Sequence, residues 1–169
     1  MPNVYLTGAR AAGKTTSARE LAARLNFEFV DTDIYLGDLH QVTVAEVVEK
    51  FGWDEFRKME SRVLEEVSQG PPKVIATGGG MILSEANRLL MRDKGLVFYL
   101  SAPAEVLAAR LAADPKTAQR PSLTGKSAVE EVAQVLADRE ALYQAAAHQV
   151  IDASAPFDEV IEAILSHLR

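Results

Sequence analysis

Cysteine is absent from the 169-residue sequence, which excludes disulfides and thiolate metal sites. The three histidines, His40, His148 and His167, are too scattered for a zinc site, so any metal is expected to be a hard ion held by oxygen. Positive charge is also scarce: 18 Lys and Arg stand against 24 Asp and Glu, for a net charge of -6. That balance denies the chain the basic face that general binding to nucleic acid or an anionic membrane requires. An anionic ligand must be met by a few placed cations. No apolar run approaches membrane-spanning length, and the N-terminal MPNVYLTG lacks a basic segment leading into a long apolar one. The expectation is a cytoplasmic protein with no membrane or nucleic-acid partner. Apolar residues are plentiful: 48% of the chain is hydrophobic, enough for one compact domain over residues 1–169.

Short apolar runs alternate with longer helical patterns, without repeats. The runs at 4–7, 28–30, 74–76, 96–100 and 149–151 read as five strands buried on both faces, and the alternation predicts a three-layer α/β/α domain around a parallel sheet. Helices are predicted over 14–25, 43–51, 53–67, 84–91, 103–111, 127–147 and 156–168. Capping boxes at Thr43-Val-Ala-Glu46 and Ser127-Ala-Val-Glu130 open two of them, and Gly52 separates the second from the third. Residues 112–126, AADPKTAQRPSLTGK, hold two prolines and a glycine. They read as an exposed loop, either a plain connector or a mobile lid.

Glycine is sparse where it matters most. In GARAAGKTT, residues 8–16, four other residues separate Gly8 from Gly13. Gly8-x-x-x-x-Gly13-Lys14-Thr15 nevertheless satisfies the phosphate-loop pattern, with an apolar strand before it and a helix after. Gly8, Ala11, Ala12, Gly13, Lys14, Thr15 and Thr16 are therefore expected to surround nucleotide phosphates, Lys14 reaching the β- and γ-phosphates and Thr15 ligating Mg²⁺.

Asp31 and Asp33 end the second strand, at the sheet edge where ligands bind in open α/β folds. Asp31 is expected to serve the magnesium shell and Asp33 the group being phosphorylated. The alternative is that they cap the next helix. After the third strand come Gly78, Gly79 and Gly80, an entropically costly run best explained by close approach of the backbone to a ligand; the alternative is a tight turn. Arg57 with Glu60 at i+3, Arg139 with Tyr143 at i+4, and Arg120 are candidate cations for developing negative charge.

In this order and spacing, the phosphate loop, Asp31-Thr-Asp33, Phe56-Arg57-x-x-Glu60, Gly78-Gly-Gly80, Arg120-Pro121 with Leu123-Thr-Gly125, and Arg139-x-x-x-Tyr143 resemble the shikimate kinases. These are phosphate-loop enzymes of the nucleoside-monophosphate-kinase type, and the resemblance covers nearly the whole chain. It implies transfer of the γ-phosphoryl of ATP to the 3-hydroxyl of shikimate, with Mg²⁺ on Thr15 and Asp31. Asp33, Arg57, Gly78, Gly79, Gly80 and Arg139 would bind shikimate. Lys14, Asp33 and Arg120 would be catalytic, Arg120 arriving with a lid at 112–126. Arg110 would stack on adenine opposite Pro156, and residues 32–61 would form a substrate-binding subdomain of a monomer. Family members usually have glycine where this chain has Ala11. The rivals are another small-molecule kinase of the same fold, for gluconate or a nucleotide, and an idle nucleotide-binding module.

Overall fold

A computed structural model describes residues 2–113 and 127–169. Its centre is a parallel sheet of five strands in the order β2-β3-β1-β4-β5: β1 (Asn3–Thr7), β2 (Glu28–Asp31), β3 (Lys73–Ala76), β4 (Gly95–Ser101) and β5 (Gln149–Asp152). Each strand lies within a residue or two of its sequence assignment, because short apolar runs bounded by polar residues leave little freedom of placement. The expectation of burial on both faces holds for β1, β3 and most of β4. The edge strands β2 and β5 each bury a single residue fully, Val30 and Ile151, each strand having a neighbour on one side alone.

The two-residue period of the strands sorts the core into two halves. Val4, Leu6, Val74, Phe98 and Leu100 face α1 (Lys14–Leu25), α5 (Ala104–Ala113) and α7 (Phe157–Ser166). Tyr5, Ile75, Val97 and Tyr99 face α2 (Thr32–His40), α3 (Val44–Val67), α4 (Glu85–Lys94) and α6 (Ala128–Ala146). Both capping boxes form: Thr43 Oγ1 accepts the Glu46 amide at 3.1 Å, and Ser127 Oγ accepts the Glu130 amide at 3.2 Å. Gly52, with φ 85° and ψ 169°, breaks α3 where the sequence placed a separator.

Two elements escape the sequence reading. Residues 32–40, given no element, fold into α2, whose weak amphipathicity and internal Gly37 hide its period. Met81–Leu83 form a short 3-10 turn after the glycine run. The sheet order makes β1 and β3 neighbours although α1, β2, α2 and α3 separate them in sequence. The loop after β1 and the glycines after β3 are thereby set side by side at the carboxyl end of the sheet, where open α/β domains bind ligands.

Candidate active site

The loop after β1 is built to approach an anion. Gly8 has φ 146°, and a Cβ there would lie 2.7 Å from the Leu100 carbonyl oxygen, so the loop passes too close to β4 for any side chain. Gly13, with φ 88°, precedes α1 and has no side chain to cap it, leaving the first amides of the helix aimed at the loop mouth. Lys14 Nζ donates to the Gly8 carbonyl at 2.5 Å, folded along the loop. Thr15 Oγ1 donates to Asp31 Oδ2 at 2.6 Å, bringing a hydroxyl and a carboxylate together beside the helix N-terminus. That pair of hard oxygen donors suits a small divalent cation carried on phosphates.

Ala11 adopts φ 66° in the left-handed region, where a residue with a Cβ costs about 1–2 kcal/mol. Its carbonyl accepts from Arg110 at 3.0 Å, and the other arm of the same guanidinium reaches the Ala153 carbonyl at 2.7 Å. Ala11→Gly should therefore raise unfolding free energy by up to about 1 kcal/mol, strain relief being partly offset by a looser unfolded chain. Nucleotide affinity should rise at most about fivefold, all that such an energy can supply. Urea denaturation and ATP titration are the checks, and an unchanged or lower urea midpoint would refute the strain.

At the end of β2 the structure corrects the sequence expectation. The backbone does not stay extended past Asp31; it turns into α2 at Thr32, with Asp31 as N-cap accepting the amides of Asp33 and Ile34 at 2.9 and 3.0 Å. A short carboxylate followed by free helical amides favours this turn. Asp31 thus caps the helix with Oδ1, as the second sequence alternative held, and takes the Thr15 hydroxyl with Oδ2.

Asp33, in the first turn of α2, faces the glycine run. A Cβ on Gly78 would lie 2.9 Å from both Asp33 Oδ1 and Glu60 Oε2, and one on Gly80 would collide with the Arg57 guanidinium. Gly79 lies between Arg139, the Gly8 carbonyl and the Tyr143 hydroxyl. None of the three has a positive φ, so crowding rather than backbone conformation disfavours a side chain at Gly78 and Gly80, whereas a Cβ on Gly79 would make only ordinary contacts. The run is where the acidic end of α2, the α3 cation, the α6 cation and the phosphate loop converge.

Arg57 Nη1 pairs with Glu60 Oε1 at 3.0 Å, and its guanidinium lies 5.1 Å from the Trp53 ring centroid and 5.2 Å from that of Phe56. Glu60 is buried at 2% exposure. Burial pushes its carboxyl above the ordinary range; Arg57 and Arg139 pull it back and Asp33 pushes it further up. Sequence spacing found the pair but gave no sign that it is buried. Of the remaining assignments, Pro156 is the N-cap of α7, three residues beyond the Ala153 carbonyl that Arg110 holds. Arg120 and most of the expected lid lie outside the described residues. Spacing gave no signal for two further contacts, Thr32 Oγ1 on the Gly78 amide at 3.1 Å and Tyr143 Oη on the Gly79 carbonyl at 2.7 Å. A groove of about 610 Å³ also opens between α2 and the start of α3, but of the residues named above it shares only Asp33 and the helix-capping Ile34, Thr43 and Glu46 with its lining.

A phosphate loop with a cluster of cations and carboxylates beside it on a parallel sheet defines a phosphate-loop phosphotransferase of the nucleoside-monophosphate-kinase type. The comparisons make the family specific. Residues 10–169 match the family model for shikimate kinase, and the chain belongs to that family, whose members are phosphotransferases with an alcohol acceptor. It is 55% identical over 165 residues to shikimate kinase 2 of Yersinia pestis (strain Pestoides F), covering 98% of this chain and 94% of that protein. Among solved structures it resembles a shikimate kinase from Acinetobacter baumannii in complex with shikimate, with a TM-score of 0.86 and 34% identity over 99% of this chain and 94% of that one. A shikimate kinase from Bacteroides thetaiotaomicron gives a TM-score of 0.90 at 30% identity, over 99% and 98%. A gluconokinase from Sinorhizobium meliloti, 13% identical with a TM-score of 0.60 over 99% and 93%, shares the fold alone.

Proposed function

We infer that this chain transfers the γ-phosphoryl of ATP to the 3-hydroxyl of shikimate, giving shikimate 3-phosphate and ADP on the route to aromatic amino acids. The observation that carries this reading is the convergence of Asp33, Arg57 and Arg139 on three glycines beside the phosphate loop. Two guanidiniums suit a carboxylate, and Asp33 suits a ring hydroxyl. The arginine pair with the glycine run favours a small carboxylated polyol over a nucleoside monophosphate, and membership of the shikimate kinase family favours shikimate over gluconate.

The residues act by position and charge. Arg57 and Arg139 clamp the acceptor carboxylate and hold the 3-hydroxyl in line with the γ-phosphorus. As that oxygen bonds to phosphorus and the bond to the ADP oxygen breaks, Asp33 accepts the hydroxyl proton. Lys14 and the α1 amides offset charge on the transferring group, joined by Arg120 from a lid at 112–126 that excludes water. Mg²⁺ carried on ATP would be held by Thr15 directly and by Asp31 through water, supplying charge neutralisation across the β- and γ-phosphates. Arg110 and Pro156 flank the adenine. Residues 32–61 form the acceptor subdomain of a monomeric, cytoplasmic enzyme; among the described residues no helix is long and apolar enough to cross a membrane.

The test is ADP release with ATP and Mg²⁺ against shikimate, quinate, gluconate and nucleoside monophosphates. Strong stimulation by shikimate is expected. Stimulation by gluconate or a nucleotide, with none by shikimate, would overturn the reading.

A further inference from the structure

Four of the six backbone polar groups of the glycine run are engaged. The Gly78 carbonyl accepts the Met81 amide at 3.0 Å and the Gly80 carbonyl accepts the Leu83 amide at 3.1 Å. The Gly78 amide donates to Thr32 Oγ1 at 3.1 Å, and the Gly79 carbonyl accepts from the Tyr143 hydroxyl at 2.7 Å. The amides of Gly79 and Gly80 have no acceptor among the described residues, so they are the donors left for a ligand.

The Gly79 carbonyl and the Gly80 amide belong to one planar trans peptide and point in opposite directions. Reorienting that peptide requires rotation about Gly79 ψ and Gly80 φ. Both residues are glycines, so other orientations are sterically open. The bond that fixes the plane comes from α6. Tyr143 is 1% exposed, and its ring stacks on Tyr99 at 4.8 Å and 18°. A stacked, buried ring has little freedom, so its hydroxyl is a fixed anchor.

We propose that Tyr143 is a positioning residue that locks the Gly79–Gly80 peptide, so that the Gly80 amide is held ready as a donor to the acceptor substrate. The proposal rests on the acceptor site assigned above. Its backbone part can be tested without any substrate.

Tyr143→Phe keeps the ring and its stacking and deletes the hydroxyl alone. The KM for shikimate should rise about tenfold, as expected for loss of one oriented hydrogen bond, with the KM for ATP and kcat changed less than about threefold. In the substrate-free ¹⁵N,¹³C-labelled protein, the Gly79 carbonyl and Gly80 amide resonances should shift or broaden, while distant amides stay in place. A Gly79–Gly80 signal unchanged in the variant would overturn the lock, whatever the kinetics, because disturbance of Arg139 alone would leave that peptide where it is. A shifted signal with an unchanged KM for shikimate would overturn the amide's role toward the acceptor. Failure of the wild-type protein to phosphorylate shikimate would count against the substrate assignment and leave the resonance test standing.

Discussion

Lys14→Met lowers kcat by about a thousandfold, the scale expected when a preorganised charge is removed from a developing phosphoryl transition state. Stability should change little. Lys14 is the first residue of α1, which has no acidic residue in its first turn, and a cation there opposes the helix dipole. Replacing it with an uncharged side chain of similar length relieves about 0.3–1 kcal/mol of dipole repulsion but removes the ammonium's hydrogen bonds to the Gly8 and Ala9 carbonyls, so the net change in stability should be small. The Lys14 ammonium lies along the Gly8 and Ala9 carbonyls, a pose that stretches toward a phosphate by side-chain rotation alone. A variant with a melting temperature close to that of the wild type and turnover near background is the expected pairing. Retention of more than about a tenth of wild-type turnover would remove Lys14 from the transition-state role.

Arg57→Ala should raise the KM for shikimate by about a hundredfold, because half of the carboxylate clamp is lost, with a smaller effect on the KM for ATP. It should also destabilise the fold by about 3 kcal/mol at neutral pH, since Glu60 is left buried without its cation. The pH dependence has a definite sign. Burial already raises the Glu60 carboxyl above its ordinary value, with Arg57 opposing the shift. A carboxyl raised in the folded state contributes stability that is fully present below the unfolded pKa of about 4.3 and lost as pH rises through the folded pKa. Without Arg57 the folded value climbs further. The stability deficit of the variant should therefore be larger at pH 7.5 than at pH 5, as urea denaturation at the two values would measure. A deficit independent of pH would mean that Glu60 does not sense Arg57, and an unchanged affinity for shikimate would sink the clamp.

Much of this site was legible residue by residue. The phosphate loop, the two capping boxes and the Arg57–Glu60 pair are contacts across a few residues of one chain segment, so their spacing reports them directly. The helix after Asp31 was missed because Gly37 and weak amphipathicity erase the periodic signal, and with it went the dual use of the Asp31 carboxylate. Ala11 marks another limit. Its identity was plain, but whether it is strained depends on a φ that only the folded loop reveals. The glycines at 78–80 were read as a place where the backbone closely approaches a ligand; in the structure the groups that crowd Gly78 and Gly80 are the site's own side chains, Asp33, Glu60 and Arg57.

The sequence by itself determined the phosphate loop, the five strands, most helices and the residue types available to bind a nucleotide and a small acid, because each rests on local spacing or hydrophobic period. The tertiary structure decided which of them meet. Tyr143 reaches Gly79 across 64 positions and Arg110 reaches Ala11 across 99, and no periodicity carries such distances. They follow from the β2-β3-β1-β4-β5 order, which seats β3 beside β1 and brings α6 over their carboxyl ends. Strand order is settled by the packing of whole helices against a twisted sheet, a property of the assembled chain that no single segment encodes.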